Sequence, residues 1–538
     1  MHDTIDTEMP ARPIFDYTTT GMVPTAKPRP LPLEVLLLII DELGADREYD
    51  ALEAWAEASE GLLQERAYRY IPREIVFGTQ EEAASINLAF RWKGPQAVRI
   101  EGGARTSERR LPIPHLATFA SRLAGKWTNV RELTIEGAEW RMQDLDLHTI
   151  LLDVGCFDRV LYLQLHRVTL PTVLTLWRLV HGLPSLHELS LRDVEFAKTA
   201  INDRMLSALC LLPSTLNTIY MLRPEERAVE RPGFLGIGSA GLLQAIVVRS
   251  MTSLNVSPWC KVSRLELWDV TFPTAAAFGR LLCAVPTLKE LAILGPCSFS
   301  EHVLDPRDVP VIPCRLRELE LGEDFSAHSD PRSVHDLVNL FIQSGAGSCL
   351  KSLTVWPSPS FRVATSTDVS LARLIACAGQ SLQSLELYAV LQDSLRLYNE
   401  TRIYAEQSSV RCFDISANTH LERLTCVTNI SHEDNSPIAA VTELLQQVAS
   451  VRISEIDMTF RVRDEAELAT LWNGLPQLDA ALSKKVFDRL ERAWIRLYGV
   501  EASHELPQAS VRSYLPKLET RGILRIAVKD RIIRYDTH

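Results

Sequence analysis

Two stretches, Val160-Leu-Tyr-Leu-Gln-Leu165 and Leu186-His-Glu-Leu-Ser-Leu191, share one pattern: an apolar residue, a second three positions later and a third two positions after that. The pattern returns along most of the chain, at 130–135, 216–221, 262–267, 288–293, 316–321, 350–355, 382–387, 421–426 and 453–458. Apolar residues at every second position predict a β-strand with one buried face. One short strand repeated in tandem predicts an array, in which each unit buries its apolar side against its neighbours.

The residues between these strands predict a helix in each unit. Apolar residues recur at helical spacing over 176–183 and over 278–285. Proline follows both, in the near copies Leu183-Pro184-Ser-Leu186 and Val285-Pro286-Thr-Leu288. Because proline ends a helix and favours extended backbone, each unit should run strand, helix, proline and strand again.

Residues 98–500, with this pattern, resemble the leucine-rich-repeat family of the strand-plus-helix type, although they lack the family's usual asparagine after the strand. The resemblance implies an α/β fold, a horseshoe-like leucine-rich-repeat solenoid that binds partners on its sheet. The alternating stretch Ile523-Leu-Arg-Ile-Ala-Val528 predicts a further strand, so residues 501–538 are expected to cap the array.

A different pattern stands ahead of the repeats, in Leu31-Pro-Leu-Glu-Val-Leu-Leu-Leu-Ile-Ile-Asp-Glu-Leu43. Proline near the start and Glu34 in the first turn favour a helix beginning here. Its apolar residues form two stripes, Leu33, Leu36, Leu37 and Ile40 on one and Val35, Leu38 and Ile39 on the other. A helix that is apolar on more than one side needs both internal neighbours and an external partner. The proline-rich residues 1–30 are expected to form a flexible lead.

These residues resemble the F-box motif, which opens Leu-Pro-x-Glu, runs into an apolar helix and continues through two further helices. Residues 51–59 and 62–70 would supply those helices, and 73–77 the short strand that follows, so the module should span 31–77. The family's Val-Cys-x-x-Trp before the third helix is replaced here by Ala58-Ser-Glu-Gly-Leu62.

The F-box resemblance implies docking onto the Skp adaptor of a cullin-based ubiquitin ligase. It assigns adaptor contacts to the residues of the first helix and its start, Leu31, Pro32, Leu33, Glu34, Leu37 and Ile40. The alternative is that residues 31–77 only cover the N-terminal end of the array.

Strand alternation predicts which side chains point away from the buried face of the sheet. Those expected to form a substrate surface are Tyr162, Glu188, Glu266, Trp268, Glu318, Trp356, Glu386 and Tyr388. Aromatic anchors surrounded by carboxylates are typical of protein interfaces and would suit a basic protein partner. The alternatives are a solvated row of glutamates and aromatic side chains packed under a covering loop.

Composition narrows the class of partner. The formal net charge is −11, which argues against nucleic acid or an anionic membrane as the main ligand. The ten cysteines include no Cys-x-x-Cys pair, and residues 35–40, the longest apolar run, are far shorter than the roughly 20 residues that span a bilayer. The sequence therefore predicts an intracellular protein, cytoplasmic or nuclear.

The search for chemistry finds one candidate, Gly236-Ile-Gly238-Ser-Ala-Gly241, which matches the glycine pattern of a dinucleotide-binding loop. That loop works only directly after a strand, and polar, proline-broken residues precede this one. We therefore predict no catalytic residues, no metal site and no cofactor. The leading hypothesis is the substrate-recognition subunit of an Skp–cullin–F-box ubiquitin ligase, and the alternative is a leucine-rich-repeat interaction scaffold without ligase attachment.

Overall fold

The structure is a computed structural model, and it describes residues 31–88, 92–102, 109–141, 147–198, 215–222, 259–302, 304, 307, 309–312, 315–357, 361, 363–389, 412–430, 437–499 and 508–529. The flexible lead predicted for residues 1–30 and the glycine pattern at 236–241 lie outside the described residues. The chain divides into two compact units. Of the described residues, the helical unit comprises 31–72 and Trp92, and the sheet unit comprises 73–88 and those from 93 onward.

The helical unit contains the three predicted helices, α1 (Leu33–Ala45), α2 (Tyr49–Ala58) and α3 (Leu62–Tyr70). Their shared core is small and consists of Ile40, Leu52, Ala56 and Ala67, all fully buried. Gly61 adopts a φ of 62° immediately before α3, a conformation that glycine reaches without strain, which explains the glycine in a position where the F-box family carries other residues.

The sheet unit is mixed α/β and is built on one large parallel sheet that is not closed. Among the described residues, this sheet has 17 strands. The strands of the unit are β1 (Glu74–Phe77), β2 (Ala97–Glu101), β3 (Leu111–Pro112), β4 (Glu132–Glu136), β5 (Ala138–Glu139), β6 (Tyr162–Thr172), β7 (Glu188–Lys198), β8 (Thr218–Leu222), β9 (Arg264–Leu267), β10 (Val270–Phe272), β11 (Glu290–Ile293), β12 (Cys297–Phe299), β13 (Glu318–Leu321), β14 (Ser352–Val355), β15 (Ser384–Ala389), β16 (Arg423–Asn429), β17 (Glu455–Arg461), β18 (Arg492–Tyr498) and β19 (Leu524–Lys529). Strands β10 and β12 pair separately.

Helices occupy the stretches between strands. They are α4 (Gln80–Ser85), α5 (His115–Leu123), α6 (Leu147–Val154), α7 (Val173–Gly182), α8 (Ala275–Ala284), α9 (Glu323–His328), α10 (Pro331–Gln343), α11 (Ser366–Ala378), α12 (Pro437–Gln446), α13 (Glu465–Leu482), α14 (Gln508–Tyr514) and α15 (Pro516–Thr520). Helices α7 and α8 end just before Pro184 and Pro286, as predicted.

The strand pairing follows the repeated pattern directly. Every repeat of the pattern forms a strand, and the parallel register sets equivalent apolar residues side by side, as with Leu163, Leu189 and Ile219. In β7 the second and fourth residues, Leu189 and Leu191, are buried, while the first, third and fifth are half-exposed. We call the side of the sheet that carries the first, third and fifth positions the open face.

The sheet extends beyond the predicted repeat range at both ends. β1 pairs with β2 and therefore belongs to the sheet unit, although the sequence placed it in the helical module. At the other end β18 pairs with β19, the strand predicted in the C-terminal tail. The helical unit accordingly ends at residue 72 rather than 77.

The turn after the strand is made without the expected asparagine. A residue with left-handed backbone stands five positions after the first residue of several strands. These residues are Gly137, Arg167, Asp193 and Asp269, with φ values of 61°, 54°, 54° and 53°. A single left-handed residue redirects the backbone at each of these places. The valine that follows, at 168, 194 or 270, is then buried next to the sheet.

Side-chain hydroxyls connect successive units. Thr215, Thr287, Ser381 and Ser450 donate hydrogen bonds to the carbonyls of Leu186, Val262, Leu350 and Leu421, at 2.6, 2.9, 2.7 and 2.6 Å. Each acceptor is the first apolar residue of the preceding strand pattern. Because these carbonyls precede the regular ladder, the hydroxyls satisfy backbone groups that the sheet leaves free.

The C-terminal end is held by a buried carboxylate. Asp479 of α13 is 3% exposed and accepts the backbone N–H groups of Lys517 and Leu518 at 3.2 and 3.0 Å. Arg521 donates to the carbonyls of Leu482 and Phe487 at 3.0 and 2.6 Å. These bonds attach α15, and with it the residues that lead into β19, to α13 and the turn that follows α13.

We predict that Ser450→Ala lowers the free energy of unfolding by about 1–3 kcal/mol, because it leaves the Leu421 carbonyl and the Arg452 N–H without this partner. The measurement is the denaturation midpoint by circular dichroism. Ser348→Ala, which removes an exposed hydroxyl bonded within its own turn, is the control and should change little. Equal effects of the two substitutions would contradict the role of the hydroxyl.

Candidate protein-binding surfaces

The first candidate surface lies on the helical unit, along α1 and the start of α3. Leu33, Leu38 and Leu62 are 44, 62 and 63% exposed, and Leu31 just before α1 is 55% exposed. Between the two helices lies an open groove of about 450 Å³, with Leu37, Leu38 and Leu62 in its lining. Such a run of exposed large apolar side chains marks an interaction surface.

The predicted adaptor contacts separate into two groups. Leu31, Pro32, Leu33 and Glu34 are exposed, and Leu37 is half-buried in the groove. Ile40 is fully buried in the core of the helical unit, so its assignment as a contact residue is wrong. Helical periodicity places Ile40 on the same stripe as Leu33, but only the packing of Leu52, Ala56 and Ala67 shows that this end of the stripe faces inward.

A polar cluster beside the groove connects α1 to α3. The Arg66 guanidinium donates two hydrogen bonds to the Asp41 carboxylate, at 2.6 and 2.9 Å, and the Tyr70 hydroxyl donates a third at 3.0 Å. The bond from Arg66 lowers the pKa of Asp41, and the carboxylate in turn raises the pKa of Arg66 and of Tyr70. A two-bond arginine–carboxylate pair has a fixed geometry, so it sets the spacing of the groove walls.

The second candidate surface is the open face of the sheet, and its charge changes along the strands. Over β9 to β15 the described carboxylates outnumber the single arginine, Arg264; they are Glu266, Glu290, Glu318, Glu320 and Glu386. Over β16 to β19 the arginines at 423, 492, 496 and 525 predominate, partly paired with Glu455 and Asp457.

Most of the predicted substrate-surface residues are accessible. Tyr162 and Glu318 are exposed, and Glu188, Trp268, Trp356, Glu386 and Tyr388 are half-buried. Glu266 is in the predicted register but is only 8% exposed, because Arg264 covers it and bonds its carboxylate at 2.5 Å. Its assignment as a free contact residue is therefore wrong.

Two of the three predicted aromatic residues meet. The rings of Trp356 and Tyr388 stack with centroids 4.4 Å apart and planes at 13°. The Tyr388 hydroxyl donates to Glu386 at 3.0 Å. Trp268 holds the same register position but lies three strands away, about 14 Å by ordinary strand spacing, so it is not part of this pair.

The acidic part of the open face carries unfavourable like-charge contacts. Burial raises the pKa of Glu320, and the neighbouring carboxylates of Glu266 and Glu386 raise it further, against the opposing effect of Arg264. Burial, followed by the charges of Glu188 and Glu266, raises the pKa of Tyr220 to about 12. A sheet face of this kind favours a cationic ligand.

A small depression was not anticipated from the sequence. It measures about 90 Å³ and lies over Ala292, between Glu290, Glu318 and Glu320. Alanine at the third position of β11, where neighbouring strands carry glutamate, leaves the space. In the sequence, the only indication of this depression is the short side chain of Ala292. The indication can be recognised only once the register shows that Ala292 lies between two glutamates.

The described residues offer little sign of other chemistry. No group of three or more His, Cys, Asp or Glu within them is arranged to hold a metal ion. Across the same part of the chain, no helix has the length and apolar character needed to cross a membrane. None of the described cysteines is in a disulfide, and burial raises the pKa of Cys297 and Cys426 to about 12.

Two comparisons with known proteins found no match. The sequence matches no model of a protein family, and none of the curated proteins matches it. The two surfaces must therefore be interpreted from their own geometry.

The Asp41 cluster gives a pH prediction. Asp41 has a folded-state pKa below its usual 3.8, so its contribution to stability is present above that pH and is lost as the pH falls through the lowered value. Hydrogen exchange of α1 and α3 should be faster in Asp41→Asn than in the native chain at pH 7, and the difference should begin to fall near pH 4 and close once the pH is below the lowered pKa. A difference that persists unchanged at low pH would contradict this role for the carboxylate.

Proposed function

We propose that this chain is a non-catalytic recognition protein, the substrate-binding subunit of an Skp–cullin–F-box ubiquitin ligase. In this proposal the helical unit docks an Skp-type adaptor, and the sheet unit, a leucine-rich-repeat solenoid, binds a protein substrate. The observation that carries the proposal is the exposed apolar run of α1, on a helix that opens with the F-box sequence Leu31-Pro32-x-Glu34.

The energetics of α1 favour a protein partner. The helix buries Ile40 within its own unit but leaves Leu33, Val35 and Leu38 in water. Covering such side chains contributes roughly 25 cal/mol per Å² of apolar surface, so a complementary groove gains free energy from contacts that the chain alone does not make. The carboxylates at the rim, Glu34 and Glu65, provide polar contacts around an apolar centre, as in other protein interfaces.

The sheet unit supports the second half of the proposal. Its parallel ladder repeats one strand at spacings from 26 residues, between Leu163 and Leu189, to 46 residues, between Ile219 and Leu265, and the shortest of them fall in the range of leucine-rich repeats. The open face supplies charges and stacked rings on a rigid frame. A protein with both surfaces would act by holding its substrate at high effective concentration beside the transfer machinery.

The test is the affinity of the full-length protein for a purified Skp-family adaptor, measured by isothermal titration calorimetry. The double variant Leu33→Glu, Leu38→Glu places charge on the exposed side chains and should bind at least about 10-fold more weakly, a loss of about 1.4 kcal/mol. Ile40 is left intact because its substitution would disrupt the core of the helical unit.

The matched control is Val311→Glu, Val451→Glu, which changes two other apolar side chains, 85 and 60% exposed, in the sheet unit. It carries the same added charge and should bind the adaptor normally. No binding by the native protein at micromolar adaptor would overturn the ligase proposal. The interaction scaffold without ligase attachment would then be the better account of the same fold.

A further inference from the structure

One part of the open face combines stacked rings with carboxylates, two of which have no partner among the described residues. We call it the acid–aromatic patch, and it consists of Glu290, Glu318, Glu320, Glu386, Trp356 and Tyr388, on β11 and β13 to β15 and directly after β14. The register sets Glu290 beside Glu318, and Trp356 stacks on Tyr388 of the next strand, whereas Glu320 lies between Ala292 and Thr354.

The charges of the patch are incompletely compensated. Arg264 bonds Glu266 and reaches Glu290 at 3.1 Å. Within the described residues, neither Glu318 nor Glu320 forms an ion pair or hydrogen bond of its own. A half-buried carboxylate surrounded by other carboxylates gains strongly from a cation that approaches from solvent.

The shape of the patch selects one side chain rather than a helix. The depression of about 90 Å³ beside Glu318 and Glu320, which Arg264 and Thr354 also line, has the size of the end of one side chain. The Trp356–Tyr388 stack lies one register row away, and Glu386 is bonded to its tyrosine. Guanidinium suits this arrangement better than ammonium, because it is planar, bonds carboxylates through two N–H groups and stacks on aromatic rings.

We propose that the acid–aromatic patch binds an arginine in an extended segment of the partner protein, with its guanidinium on Glu318 and Glu320 beside the Trp356–Tyr388 stack. This inference rests on the proposed function of the sheet unit and names the class of substrate that it recognises. The net charge of the chain, −11, favours the approach of such a cationic segment, but it does not determine where on the protein the segment binds.

The test uses a fluorescein-labelled peptide, Gly-Ser-Arg-Gly-Arg-Ser-Gly, and fluorescence anisotropy with the full-length protein at 0.15 M salt. A peptide with citrulline in place of both arginines removes the charge and keeps the shape. Glu318→Gln with Glu320→Gln should weaken binding of the arginine peptide about 10-fold. Trp356→Leu should weaken it several-fold, and lysine in place of arginine should also weaken it.

The matched control is Glu301→Gln with Glu491→Gln, which removes two exposed carboxylates outside the patch. Unchanged affinity in this control supports the patch. Equal weakening in the control, equal binding of the citrulline peptide or no binding of the arginine peptide overturns the inference. Circular dichroism and an unchanged unfolding midpoint establish that each variant is folded.

The peptide and adaptor experiments test the two proposals independently, so a negative result in one does not decide the other. The α1 variant Leu33→Glu, Leu38→Glu should bind the arginine peptide normally, and the Glu318→Gln, Glu320→Gln variant should bind the adaptor normally. Adaptor binding without peptide binding overturns the inference and leaves the proposed function standing. Peptide binding without adaptor binding supports the inference and overturns the ligase attachment.

Discussion

The parallel register of the sheet is the constraint on which both the core and the open face depend. The strands of the repeated pattern bury their second and fourth side chains, and the ladder sets these apolar residues beside the equivalent residues of the next strand. A shift of one residue would turn leucines such as Leu189 and Leu191 to solvent and bury Glu188, so the leucines hold the register. The same register decides which polar side chains share the open face, including Glu320 and Trp356.

Turns and side-chain hydroxyls act together with the leucines to keep the strands in register. A left-handed residue, such as Arg167 or Asp269, redirects the backbone at the same point in several units. Thr287 and Ser450 then bond carbonyls that the ladder does not use. Because these devices recur, the described strands remain in register although the spacing between them varies.

The sequence alone predicted the strands of the repeat, the first N-terminal helix and the last strand, because periodicity and proline are local signals. The second and third helices were expected from the resemblance to the F-box motif. It did not identify β18, since Ala493 stands where the pattern has leucine. Burial of Ile40 and Glu266 could not be predicted, because it depends on Ala67 and Arg264. Three of the hydroxyl bonds had a visible signal, a Thr or Ser directly before the first leucine of the pattern at 215, 287 and 381, and the depression over Ala292 had almost none.

We propose that two surfaces bind different partners. The apolar run on α1 binds the adaptor, and the charged sheet face binds the substrate. Hydrogen exchange of the full-length protein, with and without saturating Skp-type adaptor, tests this division most directly. We expect added protection in Leu33–Ala45 and Leu62–Tyr70 and none in Glu290–Ile293 or Glu318–Leu321. Protection that appears on the sheet strands instead, or no protection in either helix, would contradict the account.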